Sequence, residues 1–526
     1  MNTATWTDSA PRRERALGHW AWPAAVSLAL LLAIVSGGSS LADSATFSLF
    51  RLLSLILLGM SLLRLLTTPL ALTERLAILL IVGSVSLVVL QLVPLPYAVF
   101  AALPGRDFVA KIFSIAEIAP RSMPMTLSPE ATLGYLLVLI PPVAAFLATL
   151  TTESRMRWLL VATILLGSVA NVFLGLAQRL QGPTSDLYLY EITNNGSATG
   201  FFSNRNNFAM LLCVAIPLTW AMAHKLIRMR AVSAPAAIAG GAVMMLIIFM
   251  GLAASNSRSG IFLGMLALTL STLMVISAPA ATSRSSRKNK SARFSLLAIL
   301  GGAFIIGQFG MTGILRIIET DPLSDIRSEI REVTTRAAAD YFPVGSGFGT
   351  FQQVYEMNET PETMISAYVN HAHNDWLELW LEGGLPAAAL MACFLALFAV
   401  QTIRVWNPRG AYAEHVLPRA ASVVGMVLLL HSLVEFPLRM PALACIFAAM
   451  MAILMAPAPR RNNNSGRGAH NTRGASRSQG ERHDPAPDAP RRARAATAPP
   501  TFRVRRDGED ARRDDTGATN ERQTRR

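Results

Sequence analysis

Charged residues and cysteines are scarce in this chain. Only 15% of its 526 residues are charged, whereas 52% are hydrophobic. A soluble globular protein carries about 25% charged residues, so this composition argues against a water-soluble enzyme. The three cysteines, Cys213, Cys393 and Cys445, all fall inside apolar runs. They cannot form a disulfide framework in an exported loop, and we interpret them as core packing.

The residue patterns of metal, redox and nucleotide sites are also absent. No cysteine lies near the histidines, and no HExxH spacing occurs in the chain. The glycine-rich segment from Gly345 to Gly349 lacks the Lys-Ser/Thr ending of a P-loop, so we interpret it as a tight turn flanked by aromatic residues. We therefore expect neither a metal site nor a cofactor.

Long apolar runs make up most of the chain. A transmembrane helix needs about 20 mostly apolar residues, and twelve runs approach this length. The first follows a group of arginines and resembles a signal peptide, but we interpret it as an uncleaved anchor because eleven further runs follow. We predict an all-α, polytopic integral membrane protein of about twelve transmembrane helices. The predicted spans are residues 20–38, 46–66, 76–95, 132–150, 157–178, 204–223, 233–254, 259–279, 294–315, 385–403, 417–435 and 440–457.

The loops between the predicted spans alternate in charge. One set is rich in Lys and Arg, whereas the short loops of the other set have almost none. The positive-inside rule places the first set and both termini in the cytoplasm. Because the positive residues lie in loops and in the C-terminal tail, the net charge of +14 does not indicate a nucleic-acid partner. The exported segments are residues 96–131, 179–203, 255–260 and 316–384.

This topology divides the chain into five segments. Residues 1–19 are a cytoplasmic N-terminus, and residues 20–315 hold the first nine spans. Residues 316–384 form the largest exported loop, long enough for several helices but not for a domain with its own core. Residues 385–457 hold the last three spans. Residues 458–526 have almost no large apolar side chains, so we predict a disordered, basic cytoplasmic tail. We interpret it as a solvated tail without a role in the chemistry, and contact of its arginines with anionic membrane lipid is the alternative.

A polar stretch with two histidines closes the large exported loop. Asp375 is predicted to cap the following helix, with Glu378 as the capping-box acid on its polar side and Gly383-Gly384 at its end. His371 and His373 then precede a helix N-terminus, where partial positive charge attracts anions and disfavours a protonated imidazole. Loop histidines are as often hydrogen-bonding fillers, and this alternative stays open.

Three arginines lie on the exported side despite its shortage of positive charge. Arg205 and Arg258 begin predicted spans, and Arg327 lies on a predicted helix of the large loop. For each of them, an interfacial arginine that reaches lipid headgroups is the alternative. A guanidinium fork also suits phosphate or pyrophosphate, because it donates parallel hydrogen bonds to the oxygens.

Several short motifs follow one another in the second half of the chain. They are GFFSNRNNFA at 200–209, SRSG at 257–260, an Ile-Arg pair at 326–327, PVGSGFGTF at 343–351, HND at 373–375 before an acidic helix, and HSLVEFP at 431–437. Their joint order and spacing resemble the O-antigen ligase and Wzy-type polymerase superfamily. The resemblance covers about residues 190–455.

The resemblance implies a GT-C-like, metal-independent membrane glycosyltransferase with a large helical periplasmic loop. Such an enzyme moves a glycan from undecaprenyl pyrophosphate to an acceptor, a saccharide or lipid A core, at the periplasmic face of the bacterial inner membrane. It implies His373 as the catalytic histidine and Arg258 and Arg327 as paired arginines. Arg205 occupies a position that varies in the family, and Arg331 replaces a frequent aromatic residue. Our candidate substrate-binding residues are Asn204, Arg205, Arg331, His371 and Asn374.

The acceptor remains open at this point. The same site would serve a Wzy-type polymerase of exopolysaccharide or O-antigen repeats, or a protein O-oligosaccharyltransferase. A transporter of lipid-linked glycans is the alternative from another class. Transporters place charges near the membrane midplane in broken helices, whereas the polar motifs here cluster at one membrane face, which favours an enzyme.

Overall fold

The computed structural model describes residues 11–39, 45–118, 120–277, 322–361, 364, 369–412 and 415–458, and most of them are helical. A short 3₁₀ helix, Pro437–Arg439, joins the last two α-helices. The α-helices are α1 Pro11–Ser36, α2 Ala45–Leu65, α3 Leu72–Gln91, α4 Tyr97–Ala101, α5 Asp107–Ile115, α6 Pro129–Val138, α7 Ile140–Leu150, α8 Arg157–Gln181, α9 Arg205–Arg228, α10 Ala234–Ser255, α11 Arg258–Ser277, α12 Pro322–Asp340, α13 Phe351–Asn358, α14 Asp375–Trp406, α15 Val416–His431 and α16 Pro441–Met455.

Within the described residues, eight helical stretches are long and apolar enough to cross a membrane. The prediction of a helical, polytopic membrane protein is therefore confirmed. A two-stranded antiparallel sheet, β1 Pro94–Pro96 with β2 Ser122–Pro124, is a small exception to the all-α prediction. Eleven of the predicted spans overlap helices. The remaining span, 294–315, lies outside the described residues, as does the predicted tail from residue 459 onwards, so the count of twelve stays a prediction.

Helix α9 lies at the centre of the bundle. Every residue from Asn206 to Thr219 is buried, so this stretch has no side that faces lipid or water. The helix packs against α8, α10, α11 and α15. The hydroxyl of Ser257, one residue before α11, donates to Asn206 Oδ1 near the start of α9 at 2.7 Å. The N-terminal ends of α9 and α11 therefore meet at one end of the bundle.

The segment before α14 packs onto this same end. Helices α12 and α13 share a small apolar core with the beginning of α14, to which Val333, Val354 and Leu381 belong. Because the core includes α14, the segment is not a domain of its own. Its packing instead fixes α12 beside the loop that leads into α14.

The glycine-rich segment is a tight turn whose N–H groups are bound by the protein itself. Gly347 N donates to Glu382 O at 3.0 Å, and Gly349 N donates to Glu382 Oε1 at 2.9 Å. Gly347 has a φ of 115°, and a Cβ there would lie 2.0 Å from Thr126 Oγ1, so only glycine fits. The turn therefore supports α14, and its amides are not available to a phosphate group.

The membrane orientation gives the first testable prediction. Reporter fusions after residues 120, 190 and 350 should report the exported side, because their loops alternate along the chain with the Lys- and Arg-rich loops that the positive-inside rule places in the cytoplasm. Fusions after residues 228, 288 and 410 should report the cytoplasm. A cytoplasmic signal from the fusion at 350 would contradict the topology on which a periplasmic site depends.

Candidate functional site

The loop before α14 is held by Asn374, which caps the helix. Its Oδ1 accepts from Trp376 N at 3.0 Å and from Leu377 N at 3.1 Å. The prediction that Asp375 is the cap was wrong by one residue. Asp375 begins the helix, and its Oδ2 accepts from Ser432 Oγ at 2.8 Å. Both residue types cap helices well, so the choice depends on the Ser432 contact, which the local sequence does not reveal.

The end of this first helical stretch was predicted correctly. Gly384 interrupts α14 with a φ of 57° and a ψ of −150°, which breaks the helix into two parts. A Cβ at Gly384 would lie 2.2 Å from Pro343 O, so the kink requires glycine. The part before the kink carries the acidic residues of the site, and the part after it is the apolar span.

His373 is placed by an unusual backbone and by a buried carboxylate. Its φ is 50°, in the left-handed region that residues other than glycine seldom adopt. Its Nδ1 lies 3.2 Å from Glu435 Oε2, and its ring packs edge-on against Phe436. A carboxylate only accepts hydrogen bonds, so Nδ1 carries the proton and Nε2 is the basic nitrogen. The side chain is 26% exposed, so the imidazole is not sealed in the protein.

Glu435 is the residue on which this part of the site converges. It is fully buried, and its carboxylate accepts from Asn206 Nδ2 at 2.6 Å, from Arg327 Nη2 and from His373 Nδ1. We call Asn206, Arg327, His373 and Glu435 the Glu435 cluster. The cluster joins α9, α12, the histidine loop and the connection between α15 and α16.

The surroundings keep Glu435 ionised. Burial by itself would raise the pKa of Glu435, but the hydrogen bond and charge of His373 and the nearby Arg327 and His431 outweigh it and lower this pKa to about 2. At neutral pH the carboxylate is therefore negative. It can hold the His373 tautomer and stabilise that ring when the ring gains a proton.

The predicted arginines lie around this cluster. Arg327 contacts Glu435 directly, whereas Arg331, one turn later on α12, is exposed. Of these two loop arginines, Arg327 is thus the one that points inward. Arg258 begins α11 between Ser257, which bonds to Asn206, and Ser259, whose Oγ lies 3.3 Å from His431 Nε2. The backbone of Arg258 is therefore beside the cluster.

The start of α9 lies against the same cluster. Asn204 is its cap, and its side chain accepts from Asn206 N at 2.7 Å. Arg205 is the first residue of the helix, and its N–H donates to Asn194 Oδ1 at 2.9 Å. The Asn204 side chain thus has a structural use, while Asn206, two residues later, reaches Glu435. Sequence reasoning did not select Asn206, because its partner Glu435 lies 229 positions further along the chain.

A second cluster forms around Arg439. Its Nη2 donates to Glu382 Oε2 at 2.8 Å, and its Nη1 lies 3.1 Å from Glu378 Oε1. Asp375 Oδ1 lies 3.8 Å from its Nε. Burial alone would lower the pKa of Arg439, but these three carboxylates raise it well above its ordinary value. We call Arg439 with Asp375, Glu378 and Glu382 the Arg439 cluster.

The expectation that Glu378 is a capping-box acid on a polar helix side was wrong. Glu378 is buried, and its Oε2 accepts from Ala372 N at 2.9 Å, which holds the histidine loop and not the cap. Its Oε1 lies 2.9 Å from His371 Nδ1. The ion pair with Arg439 crosses 61 positions of the sequence, and this distance explains why local pattern pointed to an exposed acid.

The two histidines of the loop therefore belong to different clusters. His371 faces Glu378, whereas His373 faces Glu435, and Phe436 packs against both rings. His371 also lines a polar cavity of about 230 Å³, together with Tyr135, Asn370, Glu378 and Arg439. An apolar groove of about 350 Å³ between α3, α7, α14 and α16 adjoins this cavity and shares Tyr135 with it.

Residues 242–392 match the family model described as O-antigen ligase. The match covers less than a third of the chain and supports a relationship to the O-antigen ligase family. The resemblance that the motifs indicated is confirmed, and the chain is a membrane glycosyltransferase of ligase or polymerase type. No curated protein matches the chain.

The ligase match covers part of the site. Arg258, Arg327 and His373 lie within it, whereas Asn206 and Glu435 lie outside it. The candidate site thus also contains residues from α9 and from the connection after α15, which lie outside the match. Within the described residues, no group of three or more His, Cys, Asp and Glu side chains is arranged to hold a metal ion.

Proposed function

We propose that this chain transfers a glycan from undecaprenyl pyrophosphate to an acceptor hydroxyl at the periplasmic face of the bacterial inner membrane. The observation that carries the proposal is the Glu435 cluster. One buried, ionised carboxylate binds both the Nδ1–H of His373 and the guanidinium of Arg327. A general base, His373, and an anion-binding group, Arg327, are thus both held by the carboxylate of Glu435.

His373 acts as the general base. An acceptor hydroxyl is a weak nucleophile, and His373 Nε2 takes its proton as the oxygen attacks the anomeric carbon. Glu435 stabilises the imidazolium that forms. The new bond joins the acceptor oxygen to the anomeric carbon, and the bond from that carbon to the pyrophosphate oxygen breaks. The lipid pyrophosphate leaves with the electron pair, and direct displacement inverts the anomeric centre.

The arginines stabilise the leaving pyrophosphate. A guanidinium has five N–H donors, so Arg327 can bind Glu435 and still donate to phosphate oxygens. Arg258, beside the cluster, supplies a second positive charge. Positive charge placed where negative charge develops in a poorly hydrated site lowers the barrier without a metal ion. We therefore propose metal-independent transfer that continues in excess chelator.

Charge also decides which side of the loop binds which substrate. In the Arg439 cluster three carboxyl groups surround the one guanidinium, so that guanidinium is not available to a pyrophosphate. The cavity on that side has carboxylate, amide and aromatic groups, which suit the hydroxyls and ring faces of an acceptor sugar. We accordingly place the donor pyrophosphate beside Arg327 and the acceptor sugar beside His371.

Arginine-to-lysine substitutions test the pyrophosphate site. Arg258→Lys and Arg327→Lys keep the charge but lose the fork, so each should lower transfer by about 10- to 100-fold, the effect of one or two charge-assisted hydrogen bonds. Arg331→Lys is the matched control, because Arg331 is exposed on the same helix as Arg327. The measurement is the initial rate of pyrophosphate-lipid release by the purified variants.

An equal loss in the Arg331→Lys control would show that the assay reports a general change in charge. Normal rates for Arg258→Lys and Arg327→Lys would remove both arginines from the mechanism. Acceptors of three kinds should be compared in the same assay: a lipid A core, a lipid-linked repeat unit and a protein. The one that is consumed distinguishes ligase, polymerase and protein oligosaccharyltransferase.

A further inference from the structure

A second polar cavity lies at the other end of the bundle. Helix α9 begins at Arg205 beside the Glu435 cluster and ends at Arg228. Its 24 residues span about 36 Å at a rise of 1.5 Å per residue, which exceeds the apolar thickness of a bilayer. At that far end, a cavity of about 380 Å³ lies between the ends of α8, α9, α15 and α16. The cavity is thus one membrane thickness away from the glycosyltransferase site.

Four permanent cations line this cavity: Arg155, Arg157, Lys225 and Arg228. Glu153 offsets part of this charge through its 2.9 Å contact with Arg155 Nε. Glu74 is close enough to Arg157 for their charges to interact. Two carboxylates face four cations, so the balance is positive, and the cavity suits an anion.

Arg157 is the best-defined cation of the group. It is only 8% exposed, and its guanidinium is fixed by backbone carbonyls: Nε donates to Thr152 O at 3.0 Å and Nη2 to Leu150 O at 3.1 Å. These two bonds leave further N–H donors in the five-donor guanidinium. A buried, oriented guanidinium beside a cavity differs from the mobile surface arginine that the positive-inside rule requires.

The rest of the lining is apolar and aromatic. Leu417 and Ile453 contribute to it, and Trp158 lies under the Lys225 ammonium, 5.5 Å from the ring centroid. Tryptophan favours the boundary between lipid and water. A ligand with several negative charges and an attached hydrocarbon fits this combination better than a free anion.

We propose that this cavity binds the phosphate headgroup of an anionic phospholipid in the leaflet opposite the transfer site. A diphosphate lipid such as cardiolipin fits best, because two phosphates can be shared among four cations. Arg157 and Lys225 bind the phosphates, and Leu417, Ile453 and Trp158 contact the glycerol and the first methylenes of the chains. The site is independent of the proposed transfer reaction.

Native mass spectrometry of the full chain tests this proposal. The protein is extracted from vesicles of phosphatidylcholine that contain a tenth cardiolipin, and the retained cardiolipin is counted. The pocket variant Lys225→Gln with Arg228→Asn should retain cardiolipin at least about tenfold more weakly than the wild type, because charge-assisted hydrogen bonds are lost. The control variant Arg75→Gln with Arg230→Asn removes the same charge from exposed positions that do not line the cavity. Asparagine is used at Arg230 because it tolerates the φ of 54° found there.

Loss of cardiolipin from the pocket variant alone supports the site. An equal loss from both variants overturns the proposal in favour of general attraction between the lipid and a charged protein surface. If neither variant loses cardiolipin, the cations of the cavity do not bind it, and the proposal is wrong. Inorganic phosphate and pyrophosphate are tested as well, by the rise of the melting temperature in lipid-free detergent. If either anion stabilises the wild type as much as cardiolipin does, the ligand is a free anion and the lipid proposal is wrong.

Discussion

A His373→Ala variant should insert and fold normally but lose glycan transfer by about a hundred- to ten-thousand-fold, the contribution of one general base. Among the described residues of the loop, His373 is the one whose ring is bound to the ionised Glu435, so its loss removes the proton acceptor and leaves the arginines in place. The loop itself is retained by the Asn374 cap and by the Ala372 N–H bond to Glu378. The check is a single-turnover assay with purified variants, supported by size-exclusion profiles that show intact folding.

Two further variants test which histidine is the base and whether Glu435 holds its tautomer. His371→Ala should lower transfer only mildly, because His371 faces Glu378 and not Glu435. Glu435→Gln keeps the size of the side chain, but its amide can donate to Nδ1 and so allows the wrong imidazole tautomer. Its rate should fall by about tenfold or more, with a changed pH–rate profile. Near-normal turnover of His373→Ala together with an inactive His371→Ala would assign the base to the other histidine.

Arg439→Ala should be the most destabilising single change at this end of the molecule. It leaves the buried carboxylates of Glu378 and Glu382, and the largely buried Asp375, without a cation, and removing one partner of a buried pair typically costs about 3–5 kcal/mol. It also removes the guanidinium that lies over the Tyr135 ring, 5.5 Å from its centroid. The measurement is the unfolding transition in detergent. It is monitored through the protection of the thiols of Cys213 and Cys445 from chemical modification, because both are buried in the bundle.

The comparison variants separate charge from packing. Arg331→Ala, at an exposed position, should change the unfolding free energy by no more than about 0.5 kcal/mol. Combining Arg439→Leu with Glu378→Gln and Glu382→Gln should recover part of the loss, because two of the three carboxylates left without a cation are then replaced by neutral amides. If Arg439→Ala unfolds like the wild type, the carboxylates do not depend on this cation, and the Arg439 cluster does not hold the site together.

The helices and the general position of the site were accessible from sequence because both depend on local pattern. Apolar runs of membrane-spanning length are a direct consequence of the bilayer, and each predicted span that lies in the described residues overlaps a helix. The break at Gly384 followed from the glycines. The short motifs around Arg258, Arg327 and His373 indicated the family resemblance from the sequence alone.

The partners of these residues could not be predicted, because they are far apart in sequence. Glu435 lies at the end of an apolar run, and the run predicted a membrane span and not a site residue. Its contacts come from Asn206, Arg327 and His373. An acid inside a predicted span is costly in a membrane, and this was the available clue. Likewise, nothing near Glu378 in the sequence points to Arg439, so its burial was missed.

The most direct test of direct displacement by an acceptor hydroxyl, with His373 as the base, is the anomeric configuration of the transferred sugar. The purified chain is reconstituted with a defined undecaprenyl-pyrophosphate oligosaccharide and the acceptor that it consumes, in excess chelator, and the product is examined by NMR. We expect the wild type to form a new glycosidic bond with inverted configuration and to release one lipid pyrophosphate per transfer. We expect His373→Ala to form neither product. A retained configuration, or intact lipid-linked glycan that has only crossed the bilayer, would contradict this mechanism.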